Sequence, residues 1–239
     1  MSELQNQVAI ITGATSGIGR SVARELGGAG MRLVLTGRRE ERLRELATDL
    51  DACETIAGDI TEPSFPGRLL NAAIDRFGRC DAVFNNAGVM HTASIEETDI
   101  EVMARMVRIN VEAMVRVAYT ALKHFRTQGS GHLVNVSSIL GTKVRPTAGV
   151  YAATKYAVEA LSEALRMEVA KSAVKVSTIE PGLVATELQD HFEVHPAKAF
   201  GIEQPLKPED IARCVRFMLE QPAHVRIPVM MVLPGEQPL

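Results

Sequence analysis

The stretch Val8-Ala9-Ile10-Ile11-Thr12-Gly13-Ala14-Thr15-Ser16-Gly17-Ile18-Gly19 decides the fold. Four apolar residues run into a glycine-rich turn, and an amphipathic pattern from Ile18 to Leu26 follows, ending at Gly27-Gly28. Val8–Ile11 reads as a strand buried on both faces, since apolar and polar residues do not alternate. The turn reads as a tight strand-to-helix connection. Gly13 allows the sharp reversal, and Gly17 and Gly19, lacking a Cβ, let a bound group and the neighbouring strand come close. A helix that starts there offers unpaired N–H groups and a partial positive charge to a phosphate.

Further short apolar runs recur along the chain: Leu33–Leu35, a weaker Cys53–Ala57, Asp81–Phe84, Leu133–Val136, Val174–Ile179 and Val229–Leu233. Between them lie helical patterns at Glu40–Leu50, Pro66–Phe77, Asp99–Arg126, Val150–Ala170 and Pro208–Leu219. This alternation predicts right-handed crossovers and an α/β fold, a single-domain doubly wound Rossmann fold over residues 1–239 with a mostly parallel seven-stranded sheet. The least regular stretch, Leu188 to Leu206, contains Pro196, Gly201 and Pro205 and is the candidate substrate lid.

Composition narrows the class of partner. The chain has 239 residues, 46% of them hydrophobic, and a net charge of -3. That is enough for a sizeable core and gives no reason to expect nucleic acid or an anionic membrane. Cys53, Cys80 and Cys214 are three cysteines without C-x-x-C spacing, which argues against a disulfide framework or a zinc site. His191 and His195 stand at i, i+4 in the lid stretch with no evident third ligand, so no metal is expected. The first residues are polar, with no signal region, and no apolar run is long enough to cross a bilayer, so a cytoplasmic protein is expected.

A second group of residues carries chemistry. Tyr151 and Lys155 are four residues apart on one predicted helix and so share a face. A free phenol has a pKa of about 10, and burial raises it. A nearby ammonium would lower it towards the range where general acid–base catalysis is efficient. Ser138 ends a predicted strand at the carboxyl edge, where ligands bind in open α/β sheets, and its hydroxyl can hold a substrate carbonyl. Asn110 sits mid-helix, an unfavourable place for Asn, and is a candidate to bind a water leading to Lys155. Arg145 can grip a substrate carboxylate, although a surface arginine is the plainer reading.

At the end of the second strand, where a dinucleotide site usually carries an acid for the ribose 2′-OH, the sequence reads Thr36-Gly37-Arg38-Arg39. Two guanidinium groups suit a 2′-phosphate, so NADP is expected as cofactor, with NAD less favoured.

These residues together resemble the short-chain dehydrogenase/reductase family over nearly the whole chain. The resemblance rests on the glycine run Thr12–Gly19, Asn85-Asn86-Ala87-Gly88, Asn110, Ser138, Tyr151-x-x-x-Lys155, and Pro181-Gly182 with Thr186. It implies a catalytic tetrad at Asn110, Ser138, Tyr151 and Lys155, with Tyr151 as acid/base. It implies a cofactor site of Gly13, Thr15, Ser16, Gly17, Ile18, Gly19, Arg38, Arg39, Asp59, Ile60, Asn86, Ala87, Gly88, Tyr151, Lys155, Pro181, Gly182, Val184 and Thr186. Many NADP-using members carry a basic residue just before the second motif glycine, where this chain has Ser16. The NADP expectation therefore rests on Arg38, with Arg39 assisting. The family also implies a homodimer or homotetramer built on the helices at Asp99–Arg126 and Val150–Ala170. The expected activity is hydride transfer between NADP(H) and a small-molecule carbonyl/secondary alcohol pair. The alternatives are a catalytically silent dinucleotide-binding sensor, and an epimerase or dehydratase that uses the nicotinamide transiently.

Overall fold

The structure, a computed structural model, describes residues 4–192, 194 and 196–237. Seven strands form one sheet: β1 Val8–Thr12, β2 Arg32–Gly37, β3 Cys53–Ala57, β4 Ala82–Asn85, β5 Gly131–Val136, β6 Val174–Pro181 and β7 Val229–Val232. Their spatial order is β3-β2-β1-β4-β5-β6-β7, and every pairing is parallel, where the sequence suggested only a mostly parallel sheet. The weak candidate Cys53–Ala57 is the edge strand on one side; β7 is the edge on the other, with Val229 and Met231 exposed.

The helices are α1 Gly17–Gly28, α2 Glu40–Ala47, α3 Phe65–Phe77, α4 Ile100–Val107, α5 Met114–Gln128, α6 Gly149–Glu168, the short α7 Pro196–Ala199, and α8 Pro208–Leu219. They cover both faces of the sheet. Ala9 and Ile11 of β1 pack with Val22 and Leu26 of α1, Leu43 and Leu46 of α2, and Ile211 and Val215 of α8. Val8 and Ile10 face the other way, onto Leu69 of α3, Val117 and Phe125 of α5, and Val158 and Leu165 of α6. Burial on both faces is the physical reason the strands read as continuous apolar runs.

The single helix expected over Asp99–Arg126 is broken. Arg108–Ala113 forms a π-helical segment between α4 and α5. Buried Asn110 lies in it, and its side chain grips the loop after β4. Asn110 Oδ1 accepts from the Val89 N–H at 2.9 Å, and its Nδ2 donates to the Val89 carbonyl at 2.8 Å and to Thr154 Oγ1 at 3.2 Å. Wide turns of this kind often mark functional sites.

The chain order along the sheet reverses between β1 and β4. Crevices at such switch points, outside the carboxyl ends of the strands, are where open α/β sheets take ligands.

Candidate active site

A cleft of about 710 Å³ opens at that switch point. It runs from the glycine turn and β2 at one end to Ser138, Tyr151 and the Pro196–Phe200 segment at the other. Every residue that the sequence places in the site lines it except two. Gly19 sits behind the wall, and Asn110 braces it from outside.

The turn at the first end is closely fitted. Gly13 and Gly17 have φ of +69° and +51°, left-handed values that L side chains rarely adopt. A Cβ on Gly13 would lie 2.7 Å from Asn86 Nδ2, and one on Gly19 would lie 2.4 Å from the Gly13 carbonyl oxygen. Thr12, which the sequence reading quoted but gave no role, joins the two loops. Its Oγ1 accepts from the N–H groups of Asn86 at 2.9 Å and Ala87 at 3.0 Å, while Asn86 Nδ2 donates to the Thr12 carbonyl at 2.8 Å. A threonine at the end of a strand beside a glycine turn was the available signal. Ser16 precedes α1 in extended backbone and does not cap it with its side chain, and the first turn of α1 carries no acid. The amide end of α1 thus opens on the cleft, the arrangement a pyrophosphate needs.

The two arginines after β2 have separate circumstances. Arg39 is engaged: Nε and Nη2 donate to Thr15 Oγ1 at 3.2 and 3.1 Å, and Nη1 donates to Glu187 Oε2 at 2.6 Å. Arg42 donates to the other oxygen of Glu187, at 2.5 Å, and the two guanidinium groups hold that carboxyl below the usual carboxylate range. Arg38 is exposed on the cleft rim, with its charge near Asp59. Asp59 itself turns back to accept from the Thr61 N–H at 2.9 Å and Thr61 Oγ1 at 2.8 Å, bonds that lower its pKa.

At the other end, Ser138, Tyr151 and Lys155 are all buried. Ser138 Oγ accepts from the Leu140 N–H at 3.1 Å, and its hydroxyl acts on Tyr151 in the direction that lowers the phenol's pKa. Lys155 Nζ donates to the Val136 carbonyl at 2.9 Å and lies 5.7 Å from the Tyr151 ring centroid. The phenol is therefore not lowered in the way the sequence suggested. Burial dominates and pushes Tyr151 up to about 12, against the opposing pull of Ser138 and Arg145. Burial likewise brings Lys155 down to about 8, with Glu159 working the other way. In this state the tyrosine is a protonated acid.

Arg145 is not the surface side chain that was the plainer expectation. It lines the cleft with Ser138 and Tyr151. Its position between these two residues was the signal. The lid stretch is anchored at both ends: Glu187–Gln189 forms a short 3-10 turn capped by Thr186, and Ala185 N–H donates to the Leu206 carbonyl at 2.8 Å. Of the histidine pair, His191 packs against His91 with ring centroids 5.2 Å apart, and His195 lies outside the described residues. Among the described residues, no helix is long and apolar enough to cross a membrane.

Comparison with known proteins agrees with this geometry. The family description "short chain dehydrogenase" matches residues 7–196. An uncharacterized oxidoreductase of Staphylococcus saprophyticus is 36% identical over 239 residues, covering 98% of this chain and all of the relative. Among solved structures, an alcohol dehydrogenase from the archaeon Thermococcus sibiricus, complexed with 5-hydroxy-NADP, is 28% identical. It superposes with a TM-score of 0.88 over 98% of this chain and 99% of its own. The 3-ketoacyl-(acyl-carrier-protein) reductase from Brucella melitensis, complexed with NADH, is 27% identical, with a TM-score of 0.90 over 98% and 99%. The chain belongs to the short-chain dehydrogenase/reductase family and is an oxidoreductase of that type.

Proposed function

We propose that the protein is an NADP(H)-dependent reductase of carbonyl compounds, or dehydrogenase of the corresponding secondary alcohols, with Tyr151 as general acid/base. The observation that carries this reading is the burial of Ser138, Tyr151 and Lys155 together on the wall of a cleft whose other end is the glycine turn. The close fit of Gly13 and Gly19 and the uncapped start of α1 suit a dinucleotide pyrophosphate. Arg38, exposed on the rim and without an ion pair among the described residues, would take the 2′-phosphate, while Arg39 is occupied with Thr15 and Glu187. The adenine end would lie by Asp59 and Ile60, the ribose by Lys155, and the nicotinamide by Pro181, Gly182, Val184 and Thr186.

When bound, the nicotinamide supplies or accepts the hydride. The protein does the rest. The Ser138 hydroxyl and the Tyr151 phenol hold the carbonyl oxygen. Tyr151 passes its proton to that oxygen as negative charge develops on it. The cationic Lys155 favours the phenolate left behind. Asn110 fixes the loop after β4, keeping Gly88 and Val89 in place. Neighbours solved with 5-hydroxy-NADP and with NADH support a nicotinamide cofactor of either kind, so the NADP preference rests on Arg38. A homodimer or homotetramer belongs to this reading. Exposed Val107, Tyr119, Tyr156 and Met167 lie on the helices expected to make the subunit contacts.

The test is a panel of ketones, aldehydes and oxo acids assayed with NADPH and NADH. Consumption of NADPH in preference to NADH supports the proposal. Binding of NADPH without its consumption by any carbonyl would favour a nucleotide-binding regulator instead.

A further inference from the structure

The substrate end of the cleft has a marked charge bias. Its lining includes Lys143, Arg145 and Lys155. The two acids that line the cleft among the described residues, Asp59 and Glu187, are at the other end and already bonded to Thr61 and to Arg39 and Arg42. Among the described residues, Arg145 has no ion pair. Its Nε is buried without a hydrogen-bond partner. Arg145 as a whole is half-buried, and burying one N–H of a guanidinium without a partner is unfavourable.

Packing accounts for only part of this placement. The guanidinium carbon lies 4.9 Å from the ring centroid of Phe200. Stacking uses one face of the planar group and leaves the buried Nε–H on its edge without a partner. The backbone around it is also held in an unfavourable shape. Thr147, a β-branched residue, has φ of 67°. That conformation is uncommon outside glycine and persists only where its surroundings enforce it. Here the Ala93 N–H donates to the Thr147 carbonyl at 3.1 Å, and Ala148 is fully buried. Pro146 further restricts the connection. The loop that carries Arg145 is thus pinned on its C-terminal side, and Arg145 lines the cleft beside the Tyr151 phenol.

We infer that Arg145 anchors a carboxylate on the substrate, so that the site selects oxo acids and their hydroxy-acid counterparts over neutral ketones and alcohols. The inference rests on the oxidoreductase reading above. A planar carboxylate matches the fork of a single guanidinium bidentately. It would replace the missing counter-ion and set the carbonyl carbon at a fixed distance from Tyr151. Arg145 is then a specificity residue, and proton transfer stays with Tyr151.

The experiment measures kcat/KM with NADPH for 2-oxo and 3-oxo acids, each paired with its methyl ester, for the wild type, Arg145→Met and Arg145→Lys. Removal of a charged hydrogen-bonding partner predicts an acid-to-ester ratio that falls by about 30-fold in Arg145→Met, mostly through KM, and recovers in part in Arg145→Lys. NADPH binding by each variant reports correct folding. A wild type that prefers the esters would overturn the inference. So would equal loss for acid and ester in Arg145→Met, which would assign Arg145 to packing or to the acidity of Tyr151. If the wild type binds NADPH but oxidises it with no acid and no ester, the oxidoreductase reading fails, and the carboxylate anchor fails with it.

Discussion

Lys155 Nζ donates to the main-chain carbonyl of Val136 at 2.9 Å and stands 5.7 Å from the centre of the Tyr151 ring. In the proposed reaction the lysine would act on the tyrosine through space, since its hydrogen bond goes to the main chain. Its own charge is the more precarious of the two, since burial brings it down to about 8. Tyr151, up at about 12, stays protonated across the working range.

The pH profile of kcat/KM for NADPH, which reports ionisations of the free enzyme, follows from this. Lys155 is cationic below about pH 8 and neutral above it. The profile should be level near pH 7 and fall above about pH 8, as the ammonium that would hold the nicotinamide ribose and favour phenolate is lost. A profile that stays level through pH 9.5 would show that Lys155 keeps its proton and that its burial is not felt as described.

Cofactor choice should be decided at Arg38. Arg38→Asp places a carboxylate where a 2′-phosphate would lie and suits a ribose hydroxyl instead. The ratio of kcat/KM for NADPH over NADH should drop by roughly 100-fold, as expected from losing a charge-assisted contact and adding repulsion. Arg39→Ala should change the ratio much less, because Arg39 is held by Thr15 and Glu187. Equal effects of the two variants would move the phosphate site to lie between them.

Glu180 of β6 is buried beside Glu159 of α6, whose Oε2 accepts from Thr178 Oγ1 at 3.1 Å. Burial, then repulsion from Glu159, raises Glu180 to about 7, with Arg166 opposing. The folded state therefore holds a proton that the unfolded chain has released. The resulting stability is fully present below about pH 4.5 and is lost as pH rises through 7. Glu180→Gln removes the penalty. In urea unfolding it should be more stable than wild type by roughly 1–3 kcal/mol at pH 8 and nearly equal at pH 4.5. The same difference at both values would show that the carboxyl titrates normally.

Asn110 spends its amide on Val89 and Thr154. Asn110→Ala leaves the half-buried Val89 N–H and carbonyl without this partner and should cost about 1–2 kcal/mol in unfolding free energy, with turnover falling as the loop after β4 loosens. Unchanged stability with lost turnover would instead favour the water-binding role read from the sequence.

Strands and most helices were legible because burial on both faces writes itself as uninterrupted apolar runs, as in Val8–Ile11 within β1. The break at Arg108–Ala113 was not, because the apolar pattern continues through it, and only the out-of-place Asn110 marked it. Of the candidate site, Ser138, Tyr151 and Lys155 were legible from spacing, since i and i+4 on a helix share a face. The acidity of Tyr151 was not, because it depends on how far burial outweighs the nearby charges, which spacing does not contain. Arg145 was misread for a related reason. An arginine in a polar connection looks solvated until the fold brings Phe200, from a distant segment, against its guanidinium on the cleft wall.

The central claim is that the Tyr151 phenol donates the proton in carbonyl reduction. Tyr151→Phe keeps the ring and its packing and removes the hydroxyl that carries that proton. Measured side by side, NADPH affinity and turnover of the best substrate in the panel separate binding from chemistry. Affinity should stay within about threefold of wild type, while kcat falls by at least about 100-fold, the usual size of a general-acid contribution. A Tyr151→Phe variant that turns over at the wild-type rate would contradict it.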